Sequence, residues 1–255
     1  GGAGYKEALA ELTRLHGGNE ELAKINALGI QEYINRKTKV ANVGILIGNN
    51  DYKGKGLSVV ILNNVFKYIF NKLNLNRIIM GTDIRNKPMI HSCLKLGMKK
   101  RNEFFNKDKK IVTFQKSKKN LLYTGVICKD LGAANQILHY ISMDKKNYYL
   151  LFLKEPSKKL FLDKKFSNQI LCNHVSEIYS CCDDVLFGTG SSNFEKKNML
   201  IIQKFNLKIK AVVDHLSDFN NRFQFREKKI IPDKILIFDE IIYKSLNKTR
   251  NVIKL

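Results

Sequence analysis

The chain has 255 residues and a mass of 29.4 kDa, which suits one large domain or two small ones. Hydrophobic residues make up 44% and charged residues 27%, with only 3 Pro and 16 Gly, so the composition excludes disordered, collagen-like and low-complexity proteins. The formal net charge is +22, but the basic residues are mostly Lys, spread along the whole chain without any Trp. This pattern favours a solvated surface or binding of anionic small molecules over nucleic-acid binding.

The sequence also bears on the cell compartment. It contains no apolar run long enough to span a bilayer, and its first residues lack the basic and apolar regions of a signal peptide. We therefore expect a cytoplasmic protein without a membrane span. The cysteines are odd in number and include no CxxC pair, so we expect reduced thiols and no zinc site. They are Cys93, Cys128, Cys172, Cys181 and Cys182.

Residues 1–29 differ in composition from the rest of the chain. They are rich in Ala and Glu and contain no Phe, and their apolar spacing predicts two short helices separated by Gly17 and Gly18. We interpret this stretch as a foreign or misassigned helical segment.

Residues 30–116 predict a small α/β domain in which two strands and a turn are followed by helix, strand, helix and strand. The apolar runs and 3.6-residue spacings place strands at 43–47, 77–81 and 110–115, and helices at 57–73 and 87–96. Gly97 is expected to end the second helix. The basic stretch 116–120 is interpreted as a linker.

Residues 121–255 predict a second α/β domain with longer apolar strands. Strands are expected at 121–128, 148–153, 184–187, 210–213 and 235–238, with helices such as 134–142 and 193–205 between them. Near-continuous apolar strands that alternate with helices indicate a parallel sheet covered on both faces. The fold class is therefore α/β, with a Rossmann-like parallel-sheet domain in this part.

A glycine-rich loop follows the strand at 43–47 and opens the helix at 57–73. Glycines let a backbone approach a ligand closely, and free N–H groups at a helix N-terminus attract anions. The loop therefore predicts an anion-binding cradle, with a simple connecting turn as the alternative. The residues of this cradle are Gly54, Lys55, Gly56, Leu57 and Ser58.

Three blocks, at 43–48, 52–56 and 86–98, together resemble the GNAT superfamily of acyl-CoA N-acyltransferases. The resemblance spans about residues 29–115, the coenzyme-binding half of that domain, and implies a partial GNAT-like mixed sheet and acetyl-CoA as cofactor. In the family, the loop amides hold the coenzyme pyrophosphate, the preceding strand pairs with the pantetheine arm, and an Asn contacts that arm. The implied cofactor-binding residues here are Ile45, Ile47, Lys53, Gly54, Lys55, Gly56, Leu57, Ser58 and Asn86.

The resemblance also suggests a catalytic residue. Cys93 stands where the family usually has a Tyr that protonates the departing thiolate, and a thiol with an ordinary pKa of about 8.5 suits that role chemically. The alternative is that Cys93 is a small buried helix residue. His91, two residues earlier, is interpreted as a surface residue.

In the second domain, polar residues collect where the predicted strands end. The carboxyl ends of parallel strands line a common crevice, so we expect a substrate site there, although each residue alone is equally explained as a loop or cap. Gly188–Glu195 combines glycines with a capping box, which suits phosphate or a sugar hydroxyl. The predicted substrate-binding residues are Asp130, Gly132, Gly188, Thr189, Gly190, Ser191, Asp214 and Arg222.

His215 is the predicted catalytic acid or base of this crevice, because histidine exchanges protons near neutral pH. Adjacent side chains at a strand end point in opposite directions, so at most one of Asp214 and His215 should face the crevice. Arg222 and Arg226 are one helical turn apart and are expected to clamp a phosphate.

The stretches 130–136, 188–195 and 214–222 weakly resemble nucleotide-sugar domains of surface-polysaccharide biosynthesis, with one half of a GT-B-like fold. Together the two resemblances imply an N-acyltransferase that moves an acetyl group from acetyl-CoA to an amine, such as an amino sugar or nucleotide-linked sugar. The alternative is a glycosyltransferase or sugar-nucleotide-processing enzyme with a vestigial acyltransferase half. The expected partners are a small-molecule amine and a nucleotide sugar.

Overall fold

The computed structural model describes residues 31–46, 56–118, 122–143, 147–164, 168–190, 192–246 and 251–254. The chain divides into two compact units, Gly1–Asn120 and Leu121–Leu255, close to the predicted boundary at the linker. Within the described ranges, every helix is too short or too polar to cross a bilayer.

The first unit contains a five-stranded mixed sheet. Its strands are β1 (Gln31–Asn35), β2 (Val40–Gly44), β3 (Arg77–Asp83), β4 (Lys99–Asn106) and β5 (Lys109–Ser117). They lie in the order β1-β2-β3-β5-β4. Only the β2–β3 pair is parallel, and the other neighbours are antiparallel.

Two helices cover this sheet, α1 (Leu57–Asn71) and α2 (Lys87–Lys95). The apolar residues of α1 recur along one face and are buried against the sheet, as expected for an amphipathic helix. These residues are Ile61, Leu62, Val65, Phe66 and Ile69. Gly97 (φ +71) ends α2 as predicted, because the left-handed conformation lets the Met98 N–H donate to the Cys93 carbonyl at 3.1 Å.

The first unit departs from the sequence prediction in two places. The strand expected at 43–47 is observed three residues earlier, as β2. The apolar run did not indicate this position, because β2 includes the polar Asn42 and ends at Gly44. Strand β4 was not predicted, because half of its residues are charged and its sequence lacks an apolar run. It lies at the edge of the sheet, where one side faces solvent and charged residues discourage further strand pairing.

The second unit contains a seven-stranded sheet in which all neighbours are parallel. The strands lie in the order β14-β13-β10-β9-β6-β7-β8. If the seven strands are renumbered 1 to 7 along the chain and the sheet is read from its β8 edge, this order is 3-2-1-4-5-6-7. The central strand β6 is buried at every position, so both faces of the sheet are covered. The strands are β6 (Tyr123–Cys128), β7 (Tyr148–Leu153), β8 (Gln169–Leu171), β9 (Asp184–Gly188), β10 (Lys208–Val212), β13 (Lys234–Ile237) and β14 (Val252–Lys254).

Six helices and a small hairpin connect these strands. The predicted helices at 134–142 and 193–205 correspond to α3 and α6, whereas the other four and the two outer strands β8 and β14 were not predicted. Those elements are short, so periodicity over them is weak. The helices are α3 (Leu131–Met143), α4 (Ser157–Asp163), α5 (Val175–Cys181), α6 (Asn193–Lys204), α7 (Phe219–Arg222) and α8 (Glu240–Leu246), and the hairpin strands are β11 (Gln224–Phe225) and β12 (Lys228–Lys229).

Candidate functional site

The N-terminus of α1 has no acidic side chain beside it among the described residues. Gly56 precedes the helix with φ 73°, a left-handed conformation that glycine adopts without strain, and a Cβ placed there would meet nothing within 4 Å. The first turn contains no acidic side chain, and no described side chain caps it by a hydrogen bond. A start of this kind on a 15-residue helix can bind an anion such as a pyrophosphate through its first N–H groups.

Strands β2 and β3 separate beside this helix. They pair only between Val40–Asn42 and Arg77–Ile79, after which β2 pairs with β1 alone and β3 continues along β5 as far as Asp83. The parallel ladder therefore opens toward the carboxyl ends of both strands, where α1 follows β2. An extended ligand can enter this gap and pair with strand backbone.

Asn86 and Ser58 lie at the starts of the two helices. Asn86 is exposed, and its Oδ1 accepts a hydrogen bond from the Met89 N–H at 3.2 Å, so its side chain caps α2 and still presents its amide nitrogen. Ser58 Oγ lies 3.0 Å from Ser92 Oγ, which in turn donates to the Pro88 carbonyl. Ser58 therefore binds α2 through its side chain, and only its backbone N–H remains for the predicted cofactor contact.

Cys93 is 1% exposed and lies in the apolar core of the first unit. Burial raises the pKa of its thiol to about 11, well above the value assumed from the sequence, so it is a weaker acid than a coenzyme thiol. This environment favours the packing alternative, and the catalytic role of Cys93 stays a prediction.

Several predicted residues cannot be placed. Ile47, Lys53, Gly54, Lys55 and Ser191 lie outside the described residues, as does the segment 1–29. Ile45 follows β2 and is partly buried against the core of the first unit.

In the second unit, the predicted polar residues meet at the carboxyl ends of three adjacent strands. Asp130 follows β6, Thr189 and Gly190 follow β9, and Asp214 and His215 follow β10. We call these five residues the carboxyl edge. The chain reverses its direction of strand addition between β6 and β9, which is where open parallel sheets bind ligands.

Arg222 is the buried centre of this arrangement, with a side chain only 2% exposed. Its Nη1 donates to the Thr189 carbonyl and to Asp214 Oδ1 at 3.1 Å, and its Nε donates to the Ser217 carbonyl at 3.2 Å. A charge so deeply buried is retained only when it is paired and hydrogen-bonded. Arg222 therefore holds the loops together from inside and does not face a ligand.

His215 and Asp214 face the same group, which corrects the expectation that they point apart. Asp214 Oδ1 lies 2.7 Å from His215 Nδ1, and Arg222 Nη2 lies 2.9 Å from His215 Nε2. The strand alternation does not apply because β10 ends at Val212, before either residue. The His215 side chain is 53% exposed, so it is the member of the trio that a ligand can reach.

Glycines allow the loops to approach one another. A Cβ on Gly132 would lie 2.0 Å from Asp214 Oδ2, and a Cβ on Gly190 would lie 2.9 Å from Asp130 Oδ2. A side chain does not fit at Gly188 for a different cause, since a Cβ there would lie 2.2 Å from the sulfur of buried Cys128. Gly188 and Thr189, whose hydroxyl donates to the Val212 carbonyl at 2.6 Å, are thus occupied by contacts within the protein.

Glu195 is a residue that the sequence analysis recognised only as part of a capping box. It is 1% exposed, and its Oε1 accepts hydrogen bonds from the Lys129 and Asp130 N–H groups at 2.6 and 3.2 Å. Ser192 Oγ donates to its Oε2. Glu195 belongs to the first turn of α6 and its carboxylate binds the loop that follows β6, so a phosphate in the Gly188–Glu195 loop would meet a buried negative charge.

A further expectation is corrected. Arg226 is not on a helix with Arg222, since it follows β11 with φ 55°, and its guanidinium lies 5.6 Å from the Phe225 ring. The predicted phosphate clamp is therefore not formed. Asp239, two residues after β13, caps α8 by accepting hydrogen bonds from the Ile241 and Ile242 N–H groups. In the part of the chain that the structure describes, no three His, Cys, Asp or Glu side chains are arranged to hold a metal.

Comparison with known proteins supports the interpretation of the first unit. Residues 21–105 match the family model of the acetyltransferase (GNAT) domain, about a third of the chain. No curated protein matches the sequence.

Solved structures that match part of the chain include spermidine N-acetyltransferase from Vibrio cholerae in complex with CoA and spermine. It is 19% identical, covers 34% of this chain and 56% of its own, and has a TM-score of 0.32. A GNAT-family acetyltransferase from Bacillus anthracis is 21% identical, covers 34% of this chain and 55% of its own, and has a TM-score of 0.31. The chain thus spans about half the length of these structures.

The open helix N-terminus and the separated strands both lie within the matched residues, and together they fit the predicted coenzyme. Residues 21–105 of the first unit are similar to the acetyltransferase (GNAT) domain, a domain that binds acetyl-CoA.

Proposed function

We propose that the first unit transfers the acetyl group of acetyl-CoA to the amino group of a small molecule. The observation that carries this proposal is the open N-terminus of α1 beside the gap between β2 and β3. A helix N-terminus favours the pyrophosphate, and unpaired strand backbone favours the amide-rich pantetheine arm.

Acetyl-CoA supplies an acetyl group already activated as a thioester. The backbone N–H groups at Gly56–Ser58 hold the pyrophosphate, and Asn86 contacts the arm through its amide nitrogen. The backbone after Gly44 positions the carbonyl and polarises it by an N–H group. These residues fix the electrophile so that an unprotonated amine can attack it from a defined direction.

The amine acceptor that we propose is an amino sugar. This finer assignment rests on the weak resemblance of the second unit to sugar-processing domains, so glucosamine should be tested as an acceptor beside spermine.

Calorimetry with acetyl-CoA and desulfo-CoA tests the coenzyme site. Gly56→Asp and Gly56→Asn form a matched pair, because both side chains tolerate a positive φ and have open space, and they differ mainly in charge. We expect Gly56→Asp to weaken binding at least about tenfold more than Gly56→Asn, since its carboxylate would sit where the pyrophosphate binds. Equal affinities of the two variants, or no binding by the natural sequence, would contradict the proposal.

A second candidate function is the binding of an activated sugar by the second unit. It is favoured by the convergence of Asp130, Asp214 and His215 at the carboxyl edge. The first six strands, in the order 3-2-1-4-5-6, have the arrangement of Rossmann-like folds, which bind ligands at this place. A sugar-nucleotide-processing or glycosyl-transfer reaction is the activity that we propose for this unit.

A further inference from the structure

The second unit contains a pocket of about 600 Å³ beside the hairpin of β11 and β12, which we call the hairpin pocket. It is lined by Ile235, the second residue of β13, and by Asn251, which directly precedes β14, so it reaches the amino ends of these strands. The carboxyl edge is formed at the other ends of the strands, and none of its five residues lines the pocket. Pockets of about 300 to 1,000 Å³ are typical for small molecules. The hairpin pocket is therefore large enough for a ligand and distinct from the carboxyl edge.

The pocket follows from the way in which β10 is connected to β13. This connection contains one helical turn, α7, and the small hairpin, whereas the connections after β6 and β9 contain helices of 13 and 12 residues. The next helix, α8, has seven residues and buries none of them. The sheet beside β13 is thus covered less completely than its centre, and the pocket occupies the space that a longer helix would fill.

The floor of the hairpin pocket is apolar. Phe223 and Ile230 are 6% and 1% exposed, and the rings of Phe219 and Phe223 meet edge to face with their centroids 5.5 Å apart. Ile231 in the same lining is 65% exposed, so a large apolar side chain faces water there. A flat ring bound against the two phenylalanines would gain aromatic contacts and would remove apolar surface from water. The floor therefore favours an aromatic ligand.

Three side-chain amides surround this floor, those of Asn220, Gln224 and Asn251. All three residues are exposed. The Asn220 and Asn251 side chains make no hydrogen bond with another described residue, and the Gln224 amide nitrogen makes one long contact, 3.4 Å from the Arg226 carbonyl. A side-chain amide presents a donor and an acceptor side by side, which matches the donors and acceptors on the edge of a nucleobase. The rim of the pocket therefore favours a ring with such an edge.

The charged residues of the lining balance each other. They are Glu227 and Lys229, both exposed and of opposite sign. The lining therefore attracts neither an anion such as a phosphate nor a cation, and a neutral ligand suits it best. A neutral flat ring whose edge donates and accepts hydrogen bonds is the base of a nucleoside.

We propose that the hairpin pocket binds a neutral nucleoside through its base. The base packs against Phe219 and Phe223, and its edge forms hydrogen bonds with the amides of Asn220 and Gln224. Arg222, in the same turn as Asn220, contacts Thr189 and His215 instead. The proposal depends on neither of the two functions proposed above, because the residues that carry it lie outside both sites.

Nuclear magnetic resonance of the full chain, labelled with ¹⁵N, tests the proposal. The reporters are the backbone amides of Asn220, Gln224 and Ile230, and the probes are adenosine, uridine and ribose. The three probes share one sugar, and only the two nucleosides carry a base. We expect saturable shifts with adenosine, weaker binding of uridine because its base has a single ring, and no saturable shift with ribose.

Two matched pairs of variants connect the shifts to the pocket. Phe219→Leu removes a ring but keeps an apolar side chain, and it should weaken adenosine binding about fivefold. Phe225→Leu makes the same change on a ring outside the pocket and should leave binding unchanged. Asn220→Ala should weaken binding about threefold through loss of a hydrogen bond. Asn221→Ala is its control, because Asn221 is also exposed but does not line the pocket.

Failure of both nucleosides to saturate the reporters, or equal affinities for adenosine and ribose, would overturn the proposal. Equal affinities of the two variants within both pairs would also overturn it, because the shifts would then not arise from contact with the pocket. The reporters all lie in the second unit, so adenosine bound at the coenzyme site of the first unit would be seen at other amides.

Discussion

The two units treat the start of a helix in opposite ways. In the first unit, α1 begins at Leu57, after Gly56, with no acidic side chain in its first turn and no cap from a described side chain. In the second unit, Asp130 caps the start of α3, and Glu195 in the first turn of α6 accepts hydrogen bonds from the Lys129 and Asp130 N–H groups. Acidic side chains at helix starts therefore hold parts of the second unit together, whereas the described residues leave the start of α1 without one. A helix start that follows a parallel strand indicates an anion site only when the chain has not filled it.

The largest effect that separates the two units is expected from Arg222→Met. The substitution removes a buried cation and leaves Asp214 and the Thr189 carbonyl without their partner, which should destabilise the second unit by about 3 to 5 kcal/mol. Hydrogen exchange measured by mass spectrometry should show faster exchange in β9 and β10 and unchanged exchange in β3.

The control for this variant is Arg226→Met. Arg226 is exposed and its guanidinium lies over the Phe225 ring, so loss of this side chain should change stability by less than about 0.5 kcal/mol. Equal exchange rates in the two variants would show that Arg222 does not hold the carboxyl edge together.

A smaller effect is expected from Glu195→Gln, which removes the charge but keeps an acceptor oxygen at the start of α6. Because the carboxylate is buried and accepts several hydrogen bonds, we expect a loss of about 1 to 3 kcal/mol in the free energy of unfolding of the second unit. Urea unfolding followed by hydrogen exchange measures it.

Glu177→Gln provides the comparison for Glu195→Gln within the same unit. Glu177 also accepts hydrogen bonds from two backbone N–H groups, at the start of α5, but these contacts are exposed. We therefore expect Glu177→Gln to lower the free energy of unfolding by less than Glu195→Gln does. An equal loss in the two variants would mean that burial of Glu195 adds nothing to its role.

The smallest effect is a pH dependence confined to the first unit. The pKa of Glu103 is lowered from 4.5 to about 2, most strongly by the hydrogen bond from Lys100 and next by the one from Lys110. Because the pKa is lower in the folded state, the stabilisation is present above pH 4.5 and is lost as the pH falls toward 2. The stability of the first unit should therefore fall in the natural chain as the pH drops from 4.5 toward 2, and this part of the fall should be missing from a variant without the carboxyl group.

Glu103→Gln is that variant, and its stability between those pH values should vary less than that of the natural sequence. The ion pairs of Glu103 with Lys100 and Lys110 are exposed and screened by salt, so the difference in stability between the natural chain and Glu103→Gln should shrink at high ionic strength. A difference that persists in concentrated salt would indicate another cause.

The sequence predicted the elements with strong apolar patterns and the places where polar residues would meet. Strands such as β7 and β9 and the Gly97 stop of α2 were predicted nearly to the residue, because buried apolar runs and glycine at positive φ have few alternatives. The charged edge strand β4 was not predicted, because an edge strand needs no apolar alternation.

The candidate sites were predicted less completely than the strands. Asp130, Asp214 and His215 do meet, as expected from the ends of parallel strands. Burial of Arg222 depends on its contact with Thr189, 33 positions away, and burial of Glu195 depends on its contact with Lys129, 66 positions away, and local patterns contain neither contact. The predicted phosphate clamp was wrong because it relied on spacing alone, which placed Arg222 and Arg226 on one helix.

The order of strands in the second sheet has a consequence for synthesis of the chain. Strand β6 is the first strand of that unit to be made, yet one of its two neighbours is β9, and Thr124 pairs with Asp184 at a separation of 60 residues. A ribosome adds about 5 to 20 residues each second, so a strand that is buried at every position in the folded unit waits for several seconds with one side unpaired. During that time the nascent chain should be a good substrate for chaperones, and slow codons between β7 and β9 would lengthen the exposure.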